Sequence, residues 1–209
     1  MSKNIHANVQ TSFSPKVIEP HIDRTAYIHP MAAVIGSAYI GRRVMVSPGA
    51  SVRSDEGQPI WVGDESNVQD GVVLHALETW ENGAPVAHNL VEHDGRKFAV
   101  YVGNRVSLAH QCQIHGPAKV GDDSFIGMQT LVFKSEVGKG CVVEPKCLLL
   151  GVKVADGRYV PAGSVIKTQF DADQLPLIDE NYAFKNLNKG VVHVNTHLAD
   201  AYNEQMPAG

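Results

Sequence analysis

A period of six residues runs through most of the chain and constrains its fold more than any other feature. Apolar residues, most of them β-branched, occupy every sixth position of a first stretch, and the same spacing resumes in four later stretches. Such a short, fixed period is typical of a solenoid, in which each repeat stacks on the one before it. The positions are Ile22, Ile28, Val34, Ile40, Val46, Val52, Val62, Val68, Leu74, Val102, Leu108, Ile114, Val120, Ile126, Val132, Val137, Val143, Leu149, Val154, Val160 and Ile166.

The interruptions of the period indicate how many strands make one coil. The series divides into seven sets of three positions, and every change of phase falls between two sets. Extra residues therefore enter at one corner of a three-sided coil, and the two largest insertions lie near residues 53–61 and 76–99. The sequence predicts an all-β solenoid, a parallel β-helix of about seven triangular coils. Its interior would be filled by the periodic apolar side chains.

The two ends of the chain lack the six-residue period. We expect residues 1–20 to form an N-terminal extension, residues 21–168 the β-helix, and residues 169–209 a linker followed by an α-helix. Near the C-terminus, apolar or aromatic residues recur three or four positions apart, as on one face of a helix. We expect that face to pack along the prism. Its members are Val191, Val194, Leu198, Ala201 and Tyr202.

The composition argues against several kinds of partner. A net charge of -4 provides no basic surface for nucleic acid or an anionic membrane. No run of 18 or more apolar residues predicts a membrane span, and the first twenty residues lack the apolar core of a signal peptide, so a cytoplasmic location is expected. The three cysteines, Cys112, Cys141 and Cys147, have no CxxC spacing and are expected to be small core residues.

The six-residue period predicts where three histidines lie relative to one another. Leu74 and Ile114 are third-strand interior positions of consecutive coils, so His75 and His115, which follow them, stack about 5 Å apart. That spacing lets both imidazoles bind one metal ion. His110 leaves the prism at another corner and cannot comfortably reach the same ion. We therefore predict a homotrimer in which His110 of one subunit completes the metal site of the next. The alternative is a surface or structural role for all three.

Two charged residues occupy the positions that correspond, one coil earlier, to two of these histidines. Arg53 lies one coil before His75, and Asp70 lies one coil before His110. Asp70 could accept a hydrogen bond from His110 and fix its tautomer. Alternatively, Asp70 or Asp55 could form a salt bridge with Arg53 at a subunit interface. The insertion that follows His75 is rich in acidic residues, which are placed to move protons or are simply solvated.

Four segments of the chain resemble gamma-class carbonic anhydrases. They read "SVRSDEGQPIWVGDESNVQDGVVLHALE", "VSLAHQCQIHGPAKVGDDSFIG", "DGRYVPAG" and "VNTHLADAY". The resemblance runs from about residue 18 to 202 and is closest to the archaeal-type enzymes, which keep an acidic proton-transfer loop. It implies a homotrimer of left-handed β-helices, each with a C-terminal helix. It also implies a metal bound by His75 and His115 of one subunit and His110 of the next.

The resemblance further implies a reaction and roles for individual residues. A metal-bound hydroxide attacks carbon dioxide and yields bicarbonate and a proton. The metal is zinc, with iron(II) or cobalt(II) as alternatives. The resemblance implies that Glu56 extracts the proton beside the metal, that Gln69 forms a hydrogen bond near the nucleophile, and that Glu78 is the proton shuttle. Asn67 and Asn195 would line the site. Arg53, Asp55 and Asp70 would form an interfacial ion network that can also touch bicarbonate.

The chain departs from the family pattern at two positions, and two other functions stay open. Relatives often carry tyrosine at the position of His193, which could be a second proton carrier or merely line the site. Phe13 stands where a tryptophan can occur. A hexapeptide-class acyltransferase would use one histidine as a base and leave the other two unused. A non-catalytic bicarbonate-binding or assembly protein on this fold would not need Glu56, Glu78 and all three histidines.

Overall fold

A three-sided prism of parallel strands forms the body of the protein in the computed structural model, which describes residues 4–206. The first side is a sheet of eight strands. In pairing order these are Ile5–His6, Ala33–Gly36, Ser51–Ser54, Val73–His75, Gln113–His115, Leu131–Phe133, Leu148–Leu150 and Val165–Ile166.

The other two sides are sheets of seven parallel strands each. The second sheet contains His21–Ile22, Ala38–Ile40, Ile60–Val62, Val100–Val102, Ala118–Val120, Glu136–Val137 and Lys153–Val154. The third sheet contains Tyr27–Ile28, Met45–Val46, Asn67–Val68, Ser107–Leu108, Phe125–Ile126, Val142–Val143 and Tyr159–Val160.

The periodic apolar residues fill the prism, as the sequence predicted. From Val34 to Ile166 every one of them is buried, and Ile22 and Ile28 are partly buried at the top. Successive coils stack in register, so Leu74 pairs with Val52 on one side and with Ile114 on the other. The predicted parallel β-helix of about seven triangular coils is confirmed. The strand Ile5–His6 adds an eighth strand to the first sheet within the segment expected to be an extension.

Two helices follow the last coil. Helix α1, Gln169–Asp173, was not predicted, and its buried Ala172 joins the core at the end of the prism. Helix α2, Leu187–Gln205, lies along the third sheet and confirms the predicted C-terminal helix. Among the residues that the structure describes, neither helix is long and apolar enough to cross a bilayer.

The predicted packing face of α2 is partly wrong. Tyr202 does stack on Tyr27 of the third sheet, with ring centroids 4.7 Å apart. Val194 and Leu198, however, are 54% and 40% exposed. Apolar spacing alone placed those two side chains on the core, but small and polar side chains allow the closest approach of α2 to the sheet. The buried residues of α2 are Asn188, Val192, Thr196 and Ala199.

The long insertion after His75 folds into two short antiparallel hairpins. The first pairs Trp80–Glu81 with Ala84–Pro85, and the second pairs Val91–His93 with Arg96–Phe98. A 3-10 helix at Ala87–Asn89 connects them. The insertion therefore presents its acidic residues from an ordered scaffold at the corner between the first and second sheets.

Candidate metal centre

His75 and His115 are neighbours at the end of adjacent strands of the first sheet. Their strands pair in register, and the two ring centroids lie 5.4 Å apart at an angle of 78°. The stacking that the six-residue period predicted is therefore confirmed. Nδ1 of His115 lies 3.3 Å from the carbonyl oxygen of Gly116. A carbonyl can only accept, so Nδ1 carries the proton and Nε2 keeps the lone pair that binds a metal.

The Nε2 atom of His75 is buried and has no hydrogen-bond partner. The Oε1 atom of Glu56 lies 3.1 Å away and an oxygen of Asp55 lies 3.5 Å away, but neither contact has the geometry of a hydrogen bond. Burial and the charge of Arg53 lower the pKa of His75, which favours the neutral imidazole that metals bind. A buried, unpartnered nitrogen next to two carboxylates fits a divalent cation.

Two acidic side chains differ in their surroundings at this corner. Arg53 holds Asp55 through contacts of 3.0 and 3.2 Å to its two carboxylate oxygens. Glu56 has no such cation in direct contact among the described ion pairs, and its pKa is raised by burial and then by the charge of Asp55. A raised pKa makes a carboxylate a stronger base, so Glu56 is suited to accept a proton.

His110 lies at a different corner, between the third and first sheets. The next residue, Gln111, has a φ of 61°, so the chain turns sharply after the histidine. Nδ1 of His110 lies 3.0 Å from Oδ2 of Asp70, and both side chains are about half exposed, 52% and 55%. The carboxylate fixes the proton on Nδ1 and leaves Nε2 available as a ligand.

One chain does not gather the three histidines. Within residues 4–206, the one group of three or more histidine, cysteine or acidic residues whose ligand atoms all lie within 4.8 Å of one another is Asp55, Glu56 and His75. His110 and His115 are both outside that group, and His110 lies at another corner of the prism. By this measure the three histidines of one chain do not form a single ligand cluster.

Gln69 and Asn67 form a buried amide relay on the third sheet. Nε2 of Gln69 donates to Oδ1 of Asn67 at 2.9 Å, and Nδ2 of Asn67 donates to Oγ of Ser107 at 3.0 Å. These bonds fix which end of each amide donates. The carbonyl oxygen of Gln69 takes part in neither bond, so it is the acceptor that this pair of amides offers to a neighbouring donor.

An apolar groove of about 630 Å³ runs between the third sheet and α2. Gln69 and His110 line it from the sheet, and Asn195 lines it from the helix. Most of its remaining lining is apolar and includes Phe125, Met128, Val194 and Leu198. His193 does not line the groove; it is exposed, and its ring lies 4.2 Å from that of His197.

A second, polar cavity of about 480 Å³ lies beside the acidic insertions. Glu56 and Glu78 both line it, together with Phe13 and Trp80. The prediction that the two insertions emerge at one corner therefore holds for Glu56 and Glu78. Sequence spacing did not predict that Thr79, next to Glu78, is fully buried. The hydrogen bonds of its hydroxyl join it to Glu56 and Gln58, in a loop outside the repeat.

Comparison with known proteins finds an archaeal relative that is similar along almost the whole chain. The protein named carbonic anhydrase from Methanosarcina thermophila is 59% identical over 202 residues, which are 96% of this chain and 82% of that protein. The chain belongs to the gamma-class carbonic anhydrases. It is an enzyme of the lyase class, and its reaction is the hydration of carbon dioxide.

Other comparisons show how widely this carbonic anhydrase fold is used. The carboxysome assembly protein CcmM of a Nostoc species is 40% identical over 192 residues, 92% of this chain but 33% of that protein. A hexapeptide transferase family protein from Anaplasma phagocytophilum has a TM-score of 0.65 at 22% identity, over 88% of this chain and 93% of that one. At that identity the likeness shows the fold alone. No protein-family model matches the chain.

Proposed function

We propose that this carbonic anhydrase is a homotrimer with a divalent metal at each subunit interface, held by His75 and His115 of one subunit and His110 of the next. One observation carries the proposal. Two imidazoles converge in register with a buried, unpartnered Nε2, while the third histidine is oriented by Asp70 at a corner outside that cluster. A cyclic arrangement supplies the missing ligand to every site equally.

The apolar groove supports the same assembly. Val194, Leu198 and Met128 form an exposed apolar surface beside His110 in a single chain, and the exposed fraction of Met128 is 42%. Apolar surface rimmed by polar residues is typical of a protein interface. Burial of this groove against a neighbouring subunit would bring His110 and Asn195 to the neighbour's His75 and His115.

The metal would be zinc, and iron(II) or cobalt(II) would suit the same ligands. When bound by three neutral imidazoles, such an ion acts as a Lewis acid that makes water nucleophilic near neutral pH. The remaining chemistry belongs to the side chains of the chain.

Glu56 is placed to take the proton. Its Oε1 lies 3.1 Å from the ligand atom of His75, and its raised pKa makes it a stronger base than an ordinary carboxylate. Gln69 would orient the attacking water through the carbonyl oxygen that its bond to Asn67 leaves available. Glu78, in the same cavity as Glu56, would carry the proton to buffer. Arg53 would attract bicarbonate, while Asp55 holds its guanidinium in place.

Metal analysis and stopped-flow hydration of carbon dioxide test the proposal together. We expect one metal per chain in trimers prepared without oxygen, loss of activity after chelation, and recovery with zinc, iron(II) or cobalt(II). Alanine at His75, His110 or His115 should lower both metal content and activity, whereas His21→Ala, at an exposed histidine of the second sheet, should not. Full activity in metal-free trimers would contradict the proposal.

A further inference from the structure

Thr79 joins the two insertions that emerge between the first and second sheets. Its side chain is fully buried although it lies in a loop. The hydroxyl donates to the carbonyl oxygen of Glu56 at 2.7 Å and accepts from the backbone amide of Gln58. The Thr79 amide donates to the same Glu56 oxygen at 2.8 Å. Thr79 therefore holds the turn at residues 56–58 through three hydrogen bonds, two donated and one accepted.

The turn is built closely around this hydroxyl. Gly57 has a φ of 110°, and a Cβ at that position would lie 2.5 Å from Oγ1 of Thr79. On the other side, the buried Asn89 donates from Nδ2 to the carbonyl oxygen of Glu78 at 2.8 Å. The backbones of both glutamates are thus anchored, and Thr79 is the direct link between them.

Thr79 itself is not part of the lining of the cavity that Glu56 and Glu78 share. Its hydroxyl gives its one proton to the Glu56 carbonyl and accepts from the Gln58 amide, and the whole residue is buried, so substrate does not contact it. Whatever it contributes to the reaction must act through the placement of the two carboxylates.

We infer that Thr79 is a positioning residue that sets the path between the carboxylates of Glu56 and Glu78, and with it the rate at which a proton leaves the site. The inference rests on the proposed function, in which these two groups carry the proton in turn. Proton transfer depends steeply on the separation and alignment of donor and acceptor. A hydroxyl that clamps both loops therefore controls the export step without contacting the reacting atoms.

The substitution Thr79→Val removes the hydroxyl with little change in shape. The Gln58 amide loses its partner, while Glu56 keeps its bond from the residue 79 amide, so the turn loosens without losing the fold. Thr79→Ser restores both hydroxyl bonds. Ser124→Ala is a matched control at another corner, because Ser124 is also fully buried and its hydroxyl donates to Gly138 and accepts from the amide of Cys141.

The experiment uses metal-loaded protein and compares two rates. Steady-state hydration includes proton export, whereas isotope exchange between carbon dioxide and bicarbonate at equilibrium does not. We expect Thr79→Val to lower kcat for hydration by about tenfold, with kcat/KM and exchange within about twofold of the parent. Added imidazole buffer should restore its kcat, and Thr79→Ser and Ser124→Ala should retain theirs. Hydrogen exchange at the Gln58 amide should be faster in Thr79→Val.

Three results would overturn the inference: an unchanged kcat in Thr79→Val, an equal fall in kcat and exchange, or a Thr79→Ser variant as slow as Thr79→Val. Failure of the proposed function gives a different result. In that case isotope exchange by the parent protein would persist after complete removal of metal, whatever residue stands at position 79.

Discussion

The substitution Leu74→Ala tests the prism interior directly beneath the candidate metal centre. Leu74 is fully buried and pairs with Val52 in one neighbouring coil and Ile114 in the other. The change removes three carbon atoms, each worth about 0.8 kcal/mol of transfer free energy, or about 2.4 kcal/mol in all. β-Branched neighbours are stiff at χ1 and cannot collapse fully into the space, so a cavity remains.

With the cavity included, we expect Leu74→Ala to lower the free energy of unfolding by about 3–4 kcal/mol. Leu177→Ala is the control, because Leu177 is 62% exposed and its truncation should cost less than about 1 kcal/mol. The assay is urea unfolding at a fixed chain concentration, since dissociation of an oligomer contributes to apparent stability. A loss below about 1 kcal/mol at Leu74, or equal losses at the two sites, would refute the stacked-coil account.

Three further predictions follow from the site. Asp70→Asn should weaken metal binding at least about tenfold in a chelator competition, since Asp70 orients His110; an unchanged affinity would show that the contact is incidental. Leu198→Glu should yield a smaller species by sedimentation, because it places a charge in the apolar groove; persistence of the trimer would contradict that interface. All three thiols are buried, and burial raises the pKa of Cys112, so a thiol reagent should modify none rapidly until the protein unfolds; fast native labelling would show an opening of the prism.

The parts of the structure that repeat were predictable from sequence. The six-residue period set the strand order of all three sheets and the pairing of Leu74 with Ile114, and that pairing placed His75 against His115. The period and the strand register have the same cause, because the interior apolar side chains of each coil pack against those of the next coil. The cysteines were predictable for the same reason, because small apolar side chains suit a narrow interior.

The parts that do not repeat were missed or misplaced. Val194 and Leu198 have helical spacing but line an open groove, and spacing alone cannot distinguish such a face from one that packs on the prism. The strand Ile5–His6 pairs at the end of the first sheet without belonging to the series. Thr79 is held by loop backbone, and such contacts leave no periodic trace in a sequence.

The most direct test of the shared metal site mixes two inactive proteins. His75→Ala and His110→Ala are unfolded together in equal amounts and reassembled into trimers. Each interface then has an intact His75 with a probability of one half and an intact His110 from the neighbour with a probability of one half. If the site is shared as proposed, about one quarter of the activity of reassembled parent protein should return. No activity in verified mixed trimers would contradict the account, because sites contained within single chains cannot complement one another.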